Sequence, residues 1–269
     1  MHLTWILAYL LLGSFTGLLA GLFGVGGGAV MVPVLTALFT AQGFAPEHRL
    51  HLALGTSMAA IVPTAISSLR AHHRRGGVLW GVVVRLVPGI LVGTFAATFV
   101  ASRLPARPLA IFFVTFMSGV AWHMFSNREP KPGRGLPGTL GLAGTGAGIG
   151  GLSALVAIGG GSLTVPFLTW CNVRLQTAIG TSAAVGLPIA LSGAFGYAFN
   201  GFHAPGLPPL SLGFIYGPAV LFIASASALT APVGVHLAHR LPVKALRRLF
   251  ALLLVLLAAH MLHTVLTRS

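Results

Sequence analysis

Gly26, Gly27 and Gly28 are followed by Pro33, and the pattern recurs as Gly159, Gly160 and Gly161 followed by Pro166. Both copies sit within runs of Leu, Val, Ile, Phe and Ala that otherwise read as buried helix. Glycine costs about 1 kcal/mol against alanine inside a helix and proline about 3 kcal/mol, so each copy reads as a helix break. Non-helical backbone at membrane depth is tolerated only where protein covers it or a polar cavity meets it. The N–H groups at the start of the helix that resumes there would offer an anion site without any charged side chain. Close packing is the other use of glycine, but a packing stripe needs small residues four apart, not three in succession.

A second pair of motifs supplies hydroxyls. Gly55-Thr56-Ser57 with Pro63 is matched by Gly180-Thr181-Ser182 with Pro188, and Ser162 follows the second triplet. The candidate binding set is therefore Gly26, Gly27, Gly28, Thr56, Ser57, Gly159, Gly160, Gly161, Ser162, Thr181 and Ser182. Any one of these hydroxyls could instead bond a carbonyl of its own helix. His51 and Gln176 each lie four residues before the glycine of these motifs, either at a helix entrance or in the site. Arg85 is the only formal charge well inside an apolar run. An intramembrane charge is a functional candidate by default, although its nearness to a helix end also allows it to snorkel. Pro33, Pro63, Pro166 and Pro188 are candidate break or hinge positions. His123 and His260 are interior or interfacial, with proton handling as a further use.

The only acids, Glu47 and Glu129, both fall in loops. With no carboxylate at depth, cation transport and a carboxylate proton relay are disfavoured, and an anionic partner is favoured. No Gly-Lys-Ser/Thr follows either triplet, so neither is a nucleotide loop. No zinc-ligand spacing or nucleophile–base pair is present, and no metal or cofactor is expected. The single cysteine, Cys171, cannot form an internal disulfide and reads as a packing residue.

The elements that must position these residues are membrane helices. Of the 269 residues, 55% are hydrophobic and 7% charged, with a mean hydropathy of +0.92, whereas a soluble protein carries about 25% charged residues. The uncharged runs are of helical length, not the roughly ten-residue segments of a membrane β-barrel. The net charge of +14 resides in short loops, where it sets topology and meets anionic lipid. No basic region outside the spans exists to bind nucleic acid. The first apolar run, residues 3–23, carries Gly13, Gly17 and Gly21 and reads as a first helix, not as a removed signal peptide.

The triplets are 133 residues apart and the Gly-Thr-Ser motifs 125 apart, and Arg103-Leu104-Pro105 is echoed by Arg240-Leu241-Pro242. The chain accordingly divides into a first transmembrane repeat, 1–125, a cytoplasmic linker, 126–137, and a second repeat, 138–269. Repeats of this kind are common in transporters. The predicted fold is all-α and integral to the membrane, with about ten transmembrane segments. Placing Arg70, Arg74 and Arg75 in the cytoplasm puts eleven basic residues on that side and four (Arg49, Arg103, Arg107, Arg268) on the other, as the positive-inside rule requires. Both termini then lie outside, and the two repeats are inverted copies with one Gly-Gly-Gly break in each.

The paired Gly-Gly-Gly-x-x-x-x-Pro and Gly-Thr-Ser motifs, and the ending Leu237-Ala238-His239-Arg240-Leu241-Pro242 before Leu249-Phe250-Ala251-Leu252, resemble the sulfite exporter TauE/SafE (toluenesulfonate uptake permease) family over essentially the whole chain. The resemblance implies a multi-pass carrier of the bacterial inner membrane that moves sulfite, sulfonates or related small acids, in either direction. It implies a small anionic substrate and the lipid bilayer as partners. One departure is Ala157 where the first copy has Gly24, which leaves the second approach to the break stiffer. An anion channel, a carrier of another small organic acid, and an intramembrane enzyme are the alternatives.

Overall fold

Lipid offers no partner for backbone N–H and C=O groups, so apolar runs of this length must close their hydrogen bonds internally as helices. The computed structural model describes residues 2–24, 27–125, 135–238, 251, 252, 254–259, 261 and 262. In chain order the helices are α1 (Leu3–Phe23), α2 (Gly28–Ala41), α3 (Pro46–His73), α4 (Trp80–Arg103), α5 (Ala106–Phe125), α6 (Thr139–Val156), α7 (Gly161–Trp170), α8 (Leu175–Gly201) and α9 (Gly217–Ala238), with a small hairpin, β1 (Ser211–Leu212) and β2 (Ile215–Tyr216), before α9. Residues 251–262, where described, are helical again. Among the described residues six helices are long and apolar enough to cross a membrane, namely α1, α3, α4, α6, α8 and α9. The apolar stretches Gly28–Ala41 and Ala106–Trp122 are shorter. The ten residues of α7 reach only ~15 Å, about half the hydrocarbon thickness.

One sequence expectation is corrected. The helices run through all four prolines: Pro33 in α2, Pro63 in α3, Pro166 in α7 and Pro188 in α8. Each proline frees one carbonyl a turn earlier, which neighbouring groups in a bundle can take up, so these positions do not end their helices. Residues 211–216 form the antiparallel hairpin, paired Ser211 with Tyr216 and Leu212 with Ile215, so α9 starts only at Gly217. Gly26, the basic residues of 126–134, His260 and most of the last predicted helix lie outside the described residues, as does the side chain of His123.

Close backbone approach dominates the packing. On α1, Gly13, Gly17 and Gly21 face Ile223, Ser227 and Ala231 of α9, and a methyl group on any of the three would overlap a backbone oxygen of that helix. On α4, Gly89 and Gly93 meet Ala143 and Ala147 of α6 in the same way. The Thr230 hydroxyl of α9 donates to the Ser14 carbonyl of α1 at 2.9 Å. The long helices α3 and α8 pack against each other at the centre, α3 also against α9 and α8 also against α4.

The close α1–α9 contact makes the fold's first test. Gly17→Leu should part the two helices and lower the thermal midpoint in detergent sharply, since overpacking costs about 1–3 kcal/mol or more. Phe15→Leu, on the exposed face of the same helix, should leave the midpoint within a degree or two.

Candidate functional site

The chain leaves helix at the glycines. Gly24 caps α1 in the left-handed region (φ 67°), its N–H bonding the Ala20 carbonyl, and Gly27 (φ 74°) precedes α2. At the equivalent place in the second half Ala157 caps α6 at φ 50° and Gly160 (φ 77°) precedes α7. Ala157 therefore adopts the conformation of Gly24 despite its Cβ, at a cost of roughly 1–2 kcal/mol, and it is fully buried. The departure noted in the sequence is thus absorbed as local strain and leaves the turn in place.

These two turns touch. A methyl group on Gly28 would overlap the Ala157 carbonyl oxygen and press on Ile61 of α3. One on Gly24 would lie 2.6 Å from the Ser182 hydroxyl, so the first turn also meets the Gly-Thr-Ser motif of the other half. Between them is a cleft of about 10 Å³, lined by Ala20 and Gly24 at the end of α1, Ile61, Thr64, Ala65 and Ser68 of α3, Gly159, and Ala183 and Gly186 of α8. That volume suits one water molecule. The first N–H groups of α2 and α7 have no partner within their own helices.

The hydroxyls divide into two kinds. Thr56 accepts the N–H of Tyr216 at 2.9 Å, and Thr181 accepts the N–H of Leu79 at 3.0 Å. Each therefore holds the irregular backbone that leads into α9 or α4. Gly55 and Gly180 give those segments room, since a Cβ on either would overlap the carbonyl of Phe214 or Gly77. Ser182 donates to the Ile179 carbonyl of its own helix at 2.8 Å. By contrast, the hydroxyl oxygens of Ser57, Ser68, Ser162 and Thr164 are buried with no partner among the described residues. Buried polar groups are rarely left so, and each such case asks for a ligand, a water or a change of state.

Other candidates lie apart from the cleft. His51 is buried near the start of α3 with Nε2 3.0 Å from the Ala101 carbonyl and its ring against Phe214, tying helix ends together. Gln176 is exposed in the first turn of α8, and Arg85 is exposed on α4, where its stem can run along the apolar surface toward the membrane edge. Thr64 and Ser68 are lining residues that were not among the sequence candidates. Their signal was polar side chains four apart in an otherwise apolar helix. A second overlooked pair is Ser67, donating to the Ala228 carbonyl at 2.7 Å, and Ser192, donating to Leu91 at 3.0 Å. Like the Gly-Thr-Ser motifs, these serines are 125 residues apart, and their acceptors are 137 apart, as are Leu79 and Tyr216.

Six helices long and apolar enough to cross a bilayer define a multi-pass helical membrane protein. Its family is also clear: the sulfite exporter TauE/SafE family matches residues 9–261, and the chain belongs to it. A probable membrane transporter protein of Haemophilus influenzae is 37% identical over 260 residues, covering 96% of this chain and 98% of the relative. A probable membrane transporter protein of Methanocaldococcus jannaschii is 25% identical, with 94% of each chain covered. The probable membrane transporter protein YdhB of Bacillus subtilis is 26% identical over 69% of this chain and 76% of its own. No solved structure matches the chain.

The two threonine contacts predict a structural phenotype. Thr56→Val and Thr181→Val should each lose about 1–3 kcal/mol by leaving a buried N–H unpaired, read as a lower thermal midpoint, and Thr→Ser should restore most of it. Unchanged midpoints in the valine variants would remove this role.

Proposed function

We propose that the protein is a secondary transporter that moves a small sulfur-containing anion, a sulfite or sulfonate type of compound, across the bacterial inner membrane by alternating access. The observation that carries this reading is the meeting of the two glycine turns at one cleft, with Gly28 against Ala157 and Gly24 and Gly159 in the same lining. Helix starts near a cleft contribute a positive potential without a charged side chain, which suits an anion that must be both bound and released. The family and the names of its relatives support transport. The unpartnered buried hydroxyls of Ser57, Ser162 and Thr164, with Gly26 to Gly28 and Gly159 to Gly161, form the proposed binding set.

The inverted-repeat reading draws support from exchanged contacts. Thr56 and Ser67 of α3 bond the second half at β2 and α9, while Thr181 and Ser192 of α8 bond the first half at α4 and its lead-in. Likewise α1 packs on α9 and α6 on α4. Such reciprocity is what two copies related by a two-fold axis produce, and the positive-inside count puts that axis in the membrane plane with both termini outside. At about 10 Å³ the cleft is too small for a sulfonate, so substrate entry requires one half to move against the other.

A thermal-shift panel of sulfite, sulfoacetate, taurine, thiosulfate and lactate tests the reading. A sulfur anion at a hundred times its dissociation constant should stabilise the protein by about 2.7 kcal/mol and should show saturable flux in sealed proteoliposomes. Stabilisation by lactate alone would reassign the cargo to another organic acid. Conductance far above carrier rates would indicate a channel, and substrate turnover in detergent an enzyme. No response to any of the five removes the anion-carrier reading.

A further inference from the structure

The walls of the cleft differ in a way that the repeat does not dictate. On α3, Thr64, Ser68 and His72 follow one another at intervals of four, which places them on one face of the helix. All three are buried, at 0%, 3% and 4% exposure. Thr64 and Ser68 line the cleft. The Thr64 hydroxyl is engaged with the Ala60 carbonyl and with Ser227 of α9, but the Ser68 oxygen has no partner among the described residues. The face ends at a cluster of exposed cations, Arg70, Arg74 and Arg75. Arg75 is held toward the end of α9 by a 3.2 Å bond to the Val235 carbonyl.

The equivalent positions on α8, 125 residues later, are Ile189, Gly193 and Tyr197. Ile189 and Tyr197 are fully buried, and the Tyr197 hydroxyl is committed to the Ala154 carbonyl at 2.9 Å. The notch over Gly193 is filled by the Met58 thioether, which would stand 2.9 Å from a Cβ placed there. The α3 face that runs on from the cleft is therefore a row of polar groups leading to fixed positive charge. The matching face of α8 is apolar and filled.

We infer that the anion passes between the cleft and the arginine-bearing side along the Thr64–Ser68–His72 face of α3, and that the Ser68 hydroxyl donates a hydrogen bond to it on the way. This rests on the anion-transport reading above. Ser68 is suited to the role because its hydroxyl has no competing partner to give up, and a buried donor left unmade costs about 1–3 kcal/mol until a ligand or water meets it. The arginines at the outer end raise the local concentration of anions, more strongly at low salt. Ser68 thereby becomes a substrate-contacting residue on one side of the bilayer only, while the plug of Met58, Ile189 and Tyr197 closes the other.

Two measurements test this. First, thermal-shift affinities for sulfite, sulfoacetate and thiosulfate are compared in wild type, Ser68→Ala, Ser68→Thr and Ser67→Ala. Ser68→Ala should weaken binding of the stabilising anion about tenfold, the equivalent of 1.4 kcal/mol. Ser68→Thr should retain it, and Ser67→Ala, whose hydroxyl faces Ala228, should bind as wild type does. Second, Ser68→Cys and Ile189→Cys, each in a Cys171→Ala background, are treated with a membrane-impermeant thiosulfonate reagent from either face of oriented vesicles. Ser68→Cys should react at least tenfold faster from the face that carries Arg74 and Arg75, and Ile189→Cys should stay unreactive from that face. The proposal is overturned if Ser68→Ala binds as tightly as wild type, if Ser68→Cys fails to react, or if it reacts from the opposite face. Failure of the underlying reading is separate: there the wild-type protein itself responds to none of the three anions.

Discussion

Every structural choice in this chain follows from the cost of an unpaired backbone polar group in lipid. Long helices meet that demand by themselves. The two glycine turns do not, since each ends one helix and starts another within the bundle. At the first, the Gly24 N–H bonds back to the Ala20 carbonyl of its own helix, and other parts of the protein pack against both turns: Gly24 abuts Ser182 and Gly28 abuts the Ala157 carbonyl. The same accounting explains the threonines. The segments entering α4 and α9 are irregular, and Thr181 and Thr56 accept the N–H groups there that no helix can take. Hydroxyls that looked like substrate ligands are first of all partners for displaced backbone.

Small side chains make those contacts possible at the required distance. In lipid, association between helices gains little from burying apolar surface and relies on close packing and interhelical hydrogen bonds. The glycines of α1 and α4 bring backbone against backbone along α9 and α6, and the serine and threonine bonds between α3 and α9 and between α8 and α4 supply the polar part. Glycine is used here for its lack of bulk, and only at the turns for its left-handed conformation. Ala157 shows that the second use is not absolute, because a tightly packed turn can hold alanine at φ 50°.

Much of this was legible from residue types and spacing. A membrane class followed from charge content alone, and the glycine triplets marked the places where α2 and α7 begin. Spacings of 133 and 125 residues between motifs gave the repeat reading its pairs of positions. What spacing could not supply was the identity of partners. The Gly-Thr-Ser motifs announced hydroxyls in apolar helices, but whether those hydroxyls face a cleft or a neighbouring N–H depends on the crossing of α3 and α8, which is non-local. The prolines misled for a related reason: in isolation each ends a helix, but within the bundle the helices continue through all four. Arg85, the one charge well inside an apolar run, is exposed on α4, where its long side chain can run toward the edge of the apolar layer.

A scaffold built from two similar halves poses a problem that symmetry cannot solve. If both halves presented identical walls, the cleft would lead equally well to either face, and a pathway open on both sides is a leak. The hydrogen bonds of Thr56 and Thr181, and of Ser67 and Ser192, correspond between the halves. Two cleft-lining positions depart from this correspondence: Thr64 and Ser68 stand where the other half has Ile189 and Gly193. On the proposed reading of alternating access, two conformations must be close in energy for exchange but differ in which wall is wetted; similar packing in the halves would serve the first need and unequal walls the second.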